Sequence, residues 1–521
     1  MKERLSSMLH LPKLFSDGAV LQREKPVKVW GTFEPFSKIK LSLEDSVAEV
    51  ITDQDGNFKA TLKAPKYGFN KQLIFKNESG ETLKSINVSV GDVWILSGQS
   101  NMDFMLKYDQ NYQQDADKVT SVLRDGPAIS FFEVPRRILP NGEFDQSTNP
   151  EEWHILTKEN AKLFSAIGYY FGLELRDYSP DIPIGLIWMS FSGTTASAWL
   201  SEEALAKDPL LKQRYLDSYQ ELLSSMSMYK YEAVLAKQHE TSLLPEAAKF
   251  WDDVVMGKID HKTLNEAYKN KKYLFNDQIM GPKSENRPHG LFDNMVKTII
   301  GYTIKGVLWY QGESNRDNVD LYKDLMPVFV KDIRNKWNIG EFPFYFVEIA
   351  PFNYEGANGT SAARMREVQQ QNMKDIPNSG MVTTLDIGHP VFIHPTNKET
   401  VGSRLALWAL AQTYGQKGFG YATPIYKSME ISGNKIYINI DNAQRGLCPM
   451  WTPLEGFEIA GEDKIFYPAH AEIETKTTRL AVSCDKVQHP IAVRYAYKNY
   501  AKASVFSTYG IPVAPFRTDN W

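Results

Sequence analysis

The sequence predicts an α/β fold: an open parallel sheet with a β-rich segment on either side of it in the chain. Three observations carry this expectation. From Asp92 onward, apolar runs of strand length alternate with amphipathic stretches, the pattern of strands buried on both faces and joined by helices. Before that point, and again over the last part of the chain, short runs alternate apolar and polar residues between Gly, Pro, Asp and Asn turns. At 521 residues the chain is long enough for roughly two to four domains.

Residues 12 to 90 contain Val27-Lys28-Val29-Trp30 and Ile39-Lys40-Leu41-Ser42-Leu43, which read as strands of a small β-sandwich. The parallel sheet is expected to use strands near 92–97, 184–190, 304–310, 342–349 and 380–386. Helices fall between them; over 161–178, Leu163, Ile167, Tyr170, Phe171 and Leu175 recur at helical spacing. Residues 200–288 are polar, with helical stretches at 220–237 and 262–272 and no clear strand, and read as an insertion. Lys435-Ile436-Tyr437-Ile438-Asn439-Ile440 and Ile491-Ala492-Val493-Arg494-Tyr495 place a second β-domain at the end. The expected divisions are therefore 1–90, 91–415 and 416–521.

A formal net charge of −4 leaves no electrostatic footprint for nucleic acid or an anionic membrane, so a small or neutral partner is expected. The two cysteines, Cys448 and Cys484, have no zinc-ligand spacing, and whether they pair is open. No run approaches the roughly 20 apolar residues of a membrane span. Met1 to Leu11 lacks an apolar signal core; a chain whose signal peptide had been removed would begin in the same way. A periplasmic or extracellular location is expected, with the cytoplasm left open, as is the oligomeric state.

Open parallel sheets place their chemistry beyond the carboxyl ends of the strands. Four predicted strand ends carry such residues. Val93-Trp94-Ile95-Leu96 leads into Gly98-Gln99-Ser100-Asn101-Met102; 184–190 leads to Ser192-Gly193-Thr194; 304–310 leads to Gln311-Gly312-Glu313-Ser314-Asn315; 380–386 leads to His389 and His394. A serine hydroxyl becomes a nucleophile when a base takes its proton and backbone donors hold the oxyanion. Ser100 fits the nucleophile and one oxyanion donor, Gly193 N–H and the Asn315 amide fit further donors, and His394 fits the base. His389 is the rival base, better suited to a loop hydrogen bond.

Together Gly98-Gln99-Ser100-Asn101-Met102, Gly193-Thr194 with Trp199, Trp309-Tyr310-Gln311-Gly312-Glu313-Ser314-Asn315 and His394-Pro395-Thr396-Asn397-Lys398 resemble the blocks of the sialate O-acetylesterase family of SGNH-type hydrolases. Leu14-Phe15-Ser16-Asp17 and Pro515-Phe516-Arg517-Thr518-Asp519 extend the likeness to both ends of the chain. The resemblance implies a three-layer α/β/α, flavodoxin-like esterase that removes O-acetyl groups from sialic acid or another sugar, with no metal or cofactor. It implies Ser100 and His394 as nucleophile and base, and Gly193 and Asn315 as oxyanion donors. It also implies Gln311 and Arg366 as substrate-binding residues, Arg366 by a bidentate pair with a substrate carboxylate.

One position departs from the family. Phe392-Ile393-His394-Pro395 stands where an acidic residue usually precedes the histidine by two positions. A histidine without an orienting carboxylate samples the wrong tautomer, at a cost of up to about four orders of magnitude. Glu313 is the expected replacement; Asp386, or a dyad held by a backbone carbonyl, are the alternatives. Three functions follow: a sialate O-acetylesterase, an acetylesterase of xylan or another polysaccharide, and a sugar-binding protein on a degraded esterase scaffold.

Overall fold

The computed structural model describes the chain apart from residues 1–7, 124–128, 143–150, 243, 257, 260, 271–278, 450–453 and 475–476. Its first strands are β1 (Val20–Gln22), β2 (Val27–Thr32), β3 (Lys38–Leu43), β4 (Ser46–Ile51), β5 (Asn57–Leu62), β6 (Gly68–Lys76) and β7 (Thr82–Gly98). β2 pairs with β5, and β4-β3-β6-β7 form an antiparallel set. Val27, Val29 and Leu62 from the pair and Ile39, Leu41, Leu73 and Phe75 from the set are buried in one core.

β7 does two jobs. Its first half pairs antiparallel with β6, and its second half lies between two parallel neighbours, β10 (Ile184–Ser190) and β11 (Gly306–Tyr310). The sequence changes character accordingly: through Asn87 the strand is mostly exposed, whereas from Val88 to Gly98 every residue is buried. The expected division at 90/91 thus falls inside a single strand, because both sheets share its backbone hydrogen bonds.

With β8 (Ile129–Glu133), β9 (Trp153–Ile155), β12 (Phe344–Val347) and β13 (Ser379–Val382), the central order is β13-β12-β11-β7-β10-β8-β9. All pairs are parallel except β8 with β9. Five of these strands lie where the sequence placed them. β8 was not anticipated: its Ile-Ser-Phe-Phe-Glu run is short and carries two polar residues, Ser130 and Glu133, which are nevertheless buried.

Alternate residues divide between the two faces. Val93, Ile95, Ile187 and Trp309 join the core that includes the helix Val319–Trp337. Trp94, Leu96, Leu186 and Leu308 join the core beneath the helices Ala166–Tyr178 and Lys398–Trp408. The result is three layers. Among the described residues of 200–288 there are helices and no strand, including Met228–Ser242, Pro245–Val255 and His261–Lys269; the single helix expected over 220–237 is interrupted after Ser225. Among the described residues the chain ends in two four-stranded antiparallel sheets, one built around Lys435–Asp441 and one around Phe457–Ala460 and Ala492–Tyr495, and a two-stranded pair of Leu447–Cys448 with Phe506–Ser507. Cys448 and Cys484 are not bridged. Among the described residues no helix is long and apolar enough to cross a membrane.

Candidate active site

Three strand ends are knitted together just before Ser100. β7 stops at Gly98, whose φ of +136° disfavours side chains, and a Cβ there would stand 2.1 Å from the Tyr310 carbonyl oxygen. Only glycine fits. Gln99 N donates to the same Tyr310 oxygen at 2.9 Å, and Phe191 N donates to Gly98 O at 3.0 Å. The short helix Ser100–Asp103 begins at once, so Ser100 stands on a sharp turn at the carboxyl edge of the sheet.

Ser100 Oγ lies 2.8 Å from His394 Nε2. The histidine comes from the loop between β13 and the helix Lys398–Trp408. Burial, with the Lys398 ammonium nearby, pushes its imidazole down to about 3. The ring is therefore neutral at physiological pH, and Nε2 is free to accept the hydroxyl proton. His389 accepts from Val391 N at 3.2 Å and packs against Phe392 with ring centroids 4.6 Å apart, a loop role.

The turn after β10 is braced from two sides. Gly193 has φ +75°, which glycine alone adopts freely. Its carbonyl accepts from Asn286 Nδ2 at 3.2 Å, while Thr195 N donates to Asn286 Oδ1 at 2.7 Å. Asp103, on the Ser100 helix, accepts from Ser190 Oγ at 2.9 Å and from Ser192 Oγ at 2.8 Å, and forms an ion pair with the Arg136 guanidinium at 3.0 Å. Neither Asn286 nor Asp103 was found from sequence. Asp103 sits three residues after Ser100, and that spacing was the available signal.

Asn315 is held by its oxygen. Oδ1 accepts from Ala196 N at 2.9 Å and from Gln311 Nε2 at 2.6 Å, so the two Nδ2 hydrogens point away from that side. This corrects the expectation for Gln311. Its side chain is fully buried and also donates to Thr194 O at 3.1 Å, which places it to orient Asn315.

The carboxylates are placed differently from expectation. Glu313 Oε1 accepts from Asn101 Nδ2 at 2.7 Å, and among the described residues no carboxylate hydrogen-bonds His394. The physical reason is that Asn101 stands between them: the same Nδ2 donates to Ile393 O at 3.3 Å, directly before the histidine. Burial raises the Glu313 pKa. Asp386 is engaged elsewhere, in a two-pronged pair with Arg404 at 2.8 and 2.6 Å. Arg366 also departs from expectation. It is fully buried in the helix Ser361–Asp375, and its Nη2 donates to the carbonyls of Lys498 and Asn499. It fastens the C-terminal segment to the catalytic layer.

A parallel three-layer sheet whose central strand ends in a serine on a glycine turn, in contact with a neutral histidine, defines the class: a carboxylic ester hydrolase. The family model described as carbohydrate esterase, sialic acid-specific acetylesterase matches residues 90–258 and 282–410, and the chain belongs to that family. Sialate O-acetylesterase of Mus musculus is 25% identical over 95% of this chain and 92% of its own, and that of Homo sapiens is 24% identical over 82% and 75%. A crystallised carbohydrate acetylesterase from Xanthomonas citri superposes with a TM-score of 0.76 at 28% identity, covering 99% of this chain and all of that one.

Proposed function

We propose that this enzyme removes O-acetyl groups from an acetylated sugar, sialic acid foremost, through an acetyl-serine intermediate at Ser100. The observation that carries the reading is the 2.8 Å contact between Ser100 Oγ and His394 Nε2. Oγ attacks the acetyl carbonyl as its proton passes to Nε2. The oxyanion is held by the N–H groups of Ser100 and Gly193 and by Asn315 Nδ2. Collapse expels the sugar oxygen, which takes the proton from His394. Water then attacks the acetyl group, its proton goes to Nε2, and acetate leaves with Ser100 restored.

Release of 4-nitrophenol from its acetyl ester, lost by a thousandfold or more in Ser100→Ala, is the expected result; full activity in that variant overturns the reading. The likeness to a carbohydrate acetylesterase across the whole chain supports a second reading, an acetylated polysaccharide as substrate. Parallel assays on O-acetylated sialic acid and acetyl xylan decide between them.

A further inference from the structure

Asn101 joins a carboxylate, an ammonium and the backbone beside the histidine. It follows Ser100 directly and is fully buried. Its Nδ2 donates to Glu313 Oε1 at 2.7 Å and to Ile393 O at 3.3 Å, while its Oδ1 accepts from Lys398 Nζ at 2.6 Å. The amide cannot be turned round, because an ammonium only donates and the Ile393 carbonyl only accepts. Lys398 and Glu313 thus hold the amide from either side, and it grips the carbonyl one residue before His394.

Lys398 is held as firmly. It too is fully buried, with its ammonium 4.5 Å from the centre of the Phe104 ring and 5.8 Å from that of Tyr310, and its backbone N donates to Asp109 Oδ2 at 3.0 Å. Asp109 is fixed by Tyr170 Oη at 2.7 Å. The titratable groups facing the ammonium are Glu313 and Tyr310 from β11 and its turn, Asp109 from the loop ahead of residues 110–114, and His394 from its own loop.

We infer that Asn101 and Lys398 are positioning residues that hold His394 against Ser100 in place of the acid missing at Phe392. The pair also sets the histidine's basicity, since a cation beside an imidazole disfavours its protonation. Burial lowers Lys398 itself, to about 7, so the cation is present below neutral pH and fades above it. This inference rests on the reading of Ser100 and His394 as nucleophile and base.

The test compares the full-length chain with Lys398→Met, Lys398→Arg and Asn101→Leu, using kcat and KM on 4-nitrophenyl acetate across pH, and a histidine NMR titration with His394 assigned through His394→Gln. Lys398→Met and Asn101→Leu are expected to lose about ten- to a hundredfold in kcat with KM little changed, since neither residue meets the substrate. In Lys398→Met the His394 titration and the acid limb of kcat move up by about one pH unit, and in Lys398→Arg they stay near the parent position. A folded Lys398→Met protein with kcat within twofold of the parent, or one with an unmoved His394 titration, overturns the inference. The NMR arm needs no turnover, so it separates this outcome from failure of the serine mechanism. Should Lys398→Met not fold, Asn101→Leu decides: unchanged kcat in that variant overturns the inference.

Discussion

Glu313 and Asn101 are joined by a 2.7 Å hydrogen bond, and this bond puts the buried carboxylate of the site on the residue after the nucleophile instead of on the histidine. Glu313 thus meets a neutral amide and not the imidazole. The predictions below ask what each of the surrounding groups contributes.

The pH dependence of the reaction follows from His394. Its folded pKa lies below the ordinary 6.5, so the ring remains an acceptor well into mildly acidic solution and the acid limb of kcat/KM is expected below pH 6. The unfolded chain binds a proton at this residue near 6.5 and the folded one does not, so stability contributed here falls as pH drops below about 6.5. A pH–rate profile with its acid limb at 6.5 or above contradicts this.

Asp386 separates a structural carboxylate from a catalytic one. Asp386→Asn removes the charge from a partly buried pair, whose Arg404 also donates to Thr383 O. A stability loss of about 2–3 kcal/mol is expected by thermal melting, with kcat/KM on 4-nitrophenyl acetate retained within about threefold. A loss of several orders of magnitude in rate would restore Asp386 as the triad acid.

Gln311 bears on the proposed oxyanion site through its hydrogen bond to Asn315. Gln311→Ala leaves Asn315 held by Ala196 N alone, and kcat is expected to fall by about tenfold, less than the 10²–10³ of deleting an oxyanion donor outright. Asn315→Ala should show that larger loss. If the Gln311 variant instead raises KM for the sugar ester while sparing kcat, Gln311 does meet the substrate.

Arg366 gives a test of substrate charge. Because its guanidinium is fully buried and its Nη2 donates to the Lys498 and Asn499 carbonyls, Arg366→Met should lower the melting temperature and reduce rates on acetylated sialic acid and on neutral acetyl esters alike. A loss confined to the anionic sugar would place Arg366 against its carboxylate after all.

Gly98→Ala tests the turn. The added methyl would stand 2.1 Å from a backbone oxygen that cannot move without pulling β11 away, so a destabilisation of about 3 kcal/mol or more is expected in a denaturant melt.

Much of this was readable in the chain. The parallel strands announced themselves because residues buried on both faces must be apolar without interruption, and Val93–Leu96, Leu186–Trp188 and Val307–Trp309 are. β8 hid because Ser130 and Glu133 are buried polar residues, which local pattern cannot distinguish from exposed ones. Ser100 and His394 were legible from their places at strand ends. Asn286, Asp103 and the bonds of Asn101 were not, since each depends on partners up to hundreds of residues away.

The sequence by itself determined five of the central strands and the nucleophile and base candidates, through periodicity and turn chemistry, which are local; its likeness to a family implied the three layers and the acid missing at Phe392. Tertiary structure alone decided where the charges went: Glu313 to Asn101, Asp386 to Arg404, Arg366 to the C-terminal carbonyls and Lys398 to the heart of the site. A carboxylate or guanidinium taken out of water must find a partner within hydrogen-bond reach, and which partner that is depends on how segments far apart in sequence pack together.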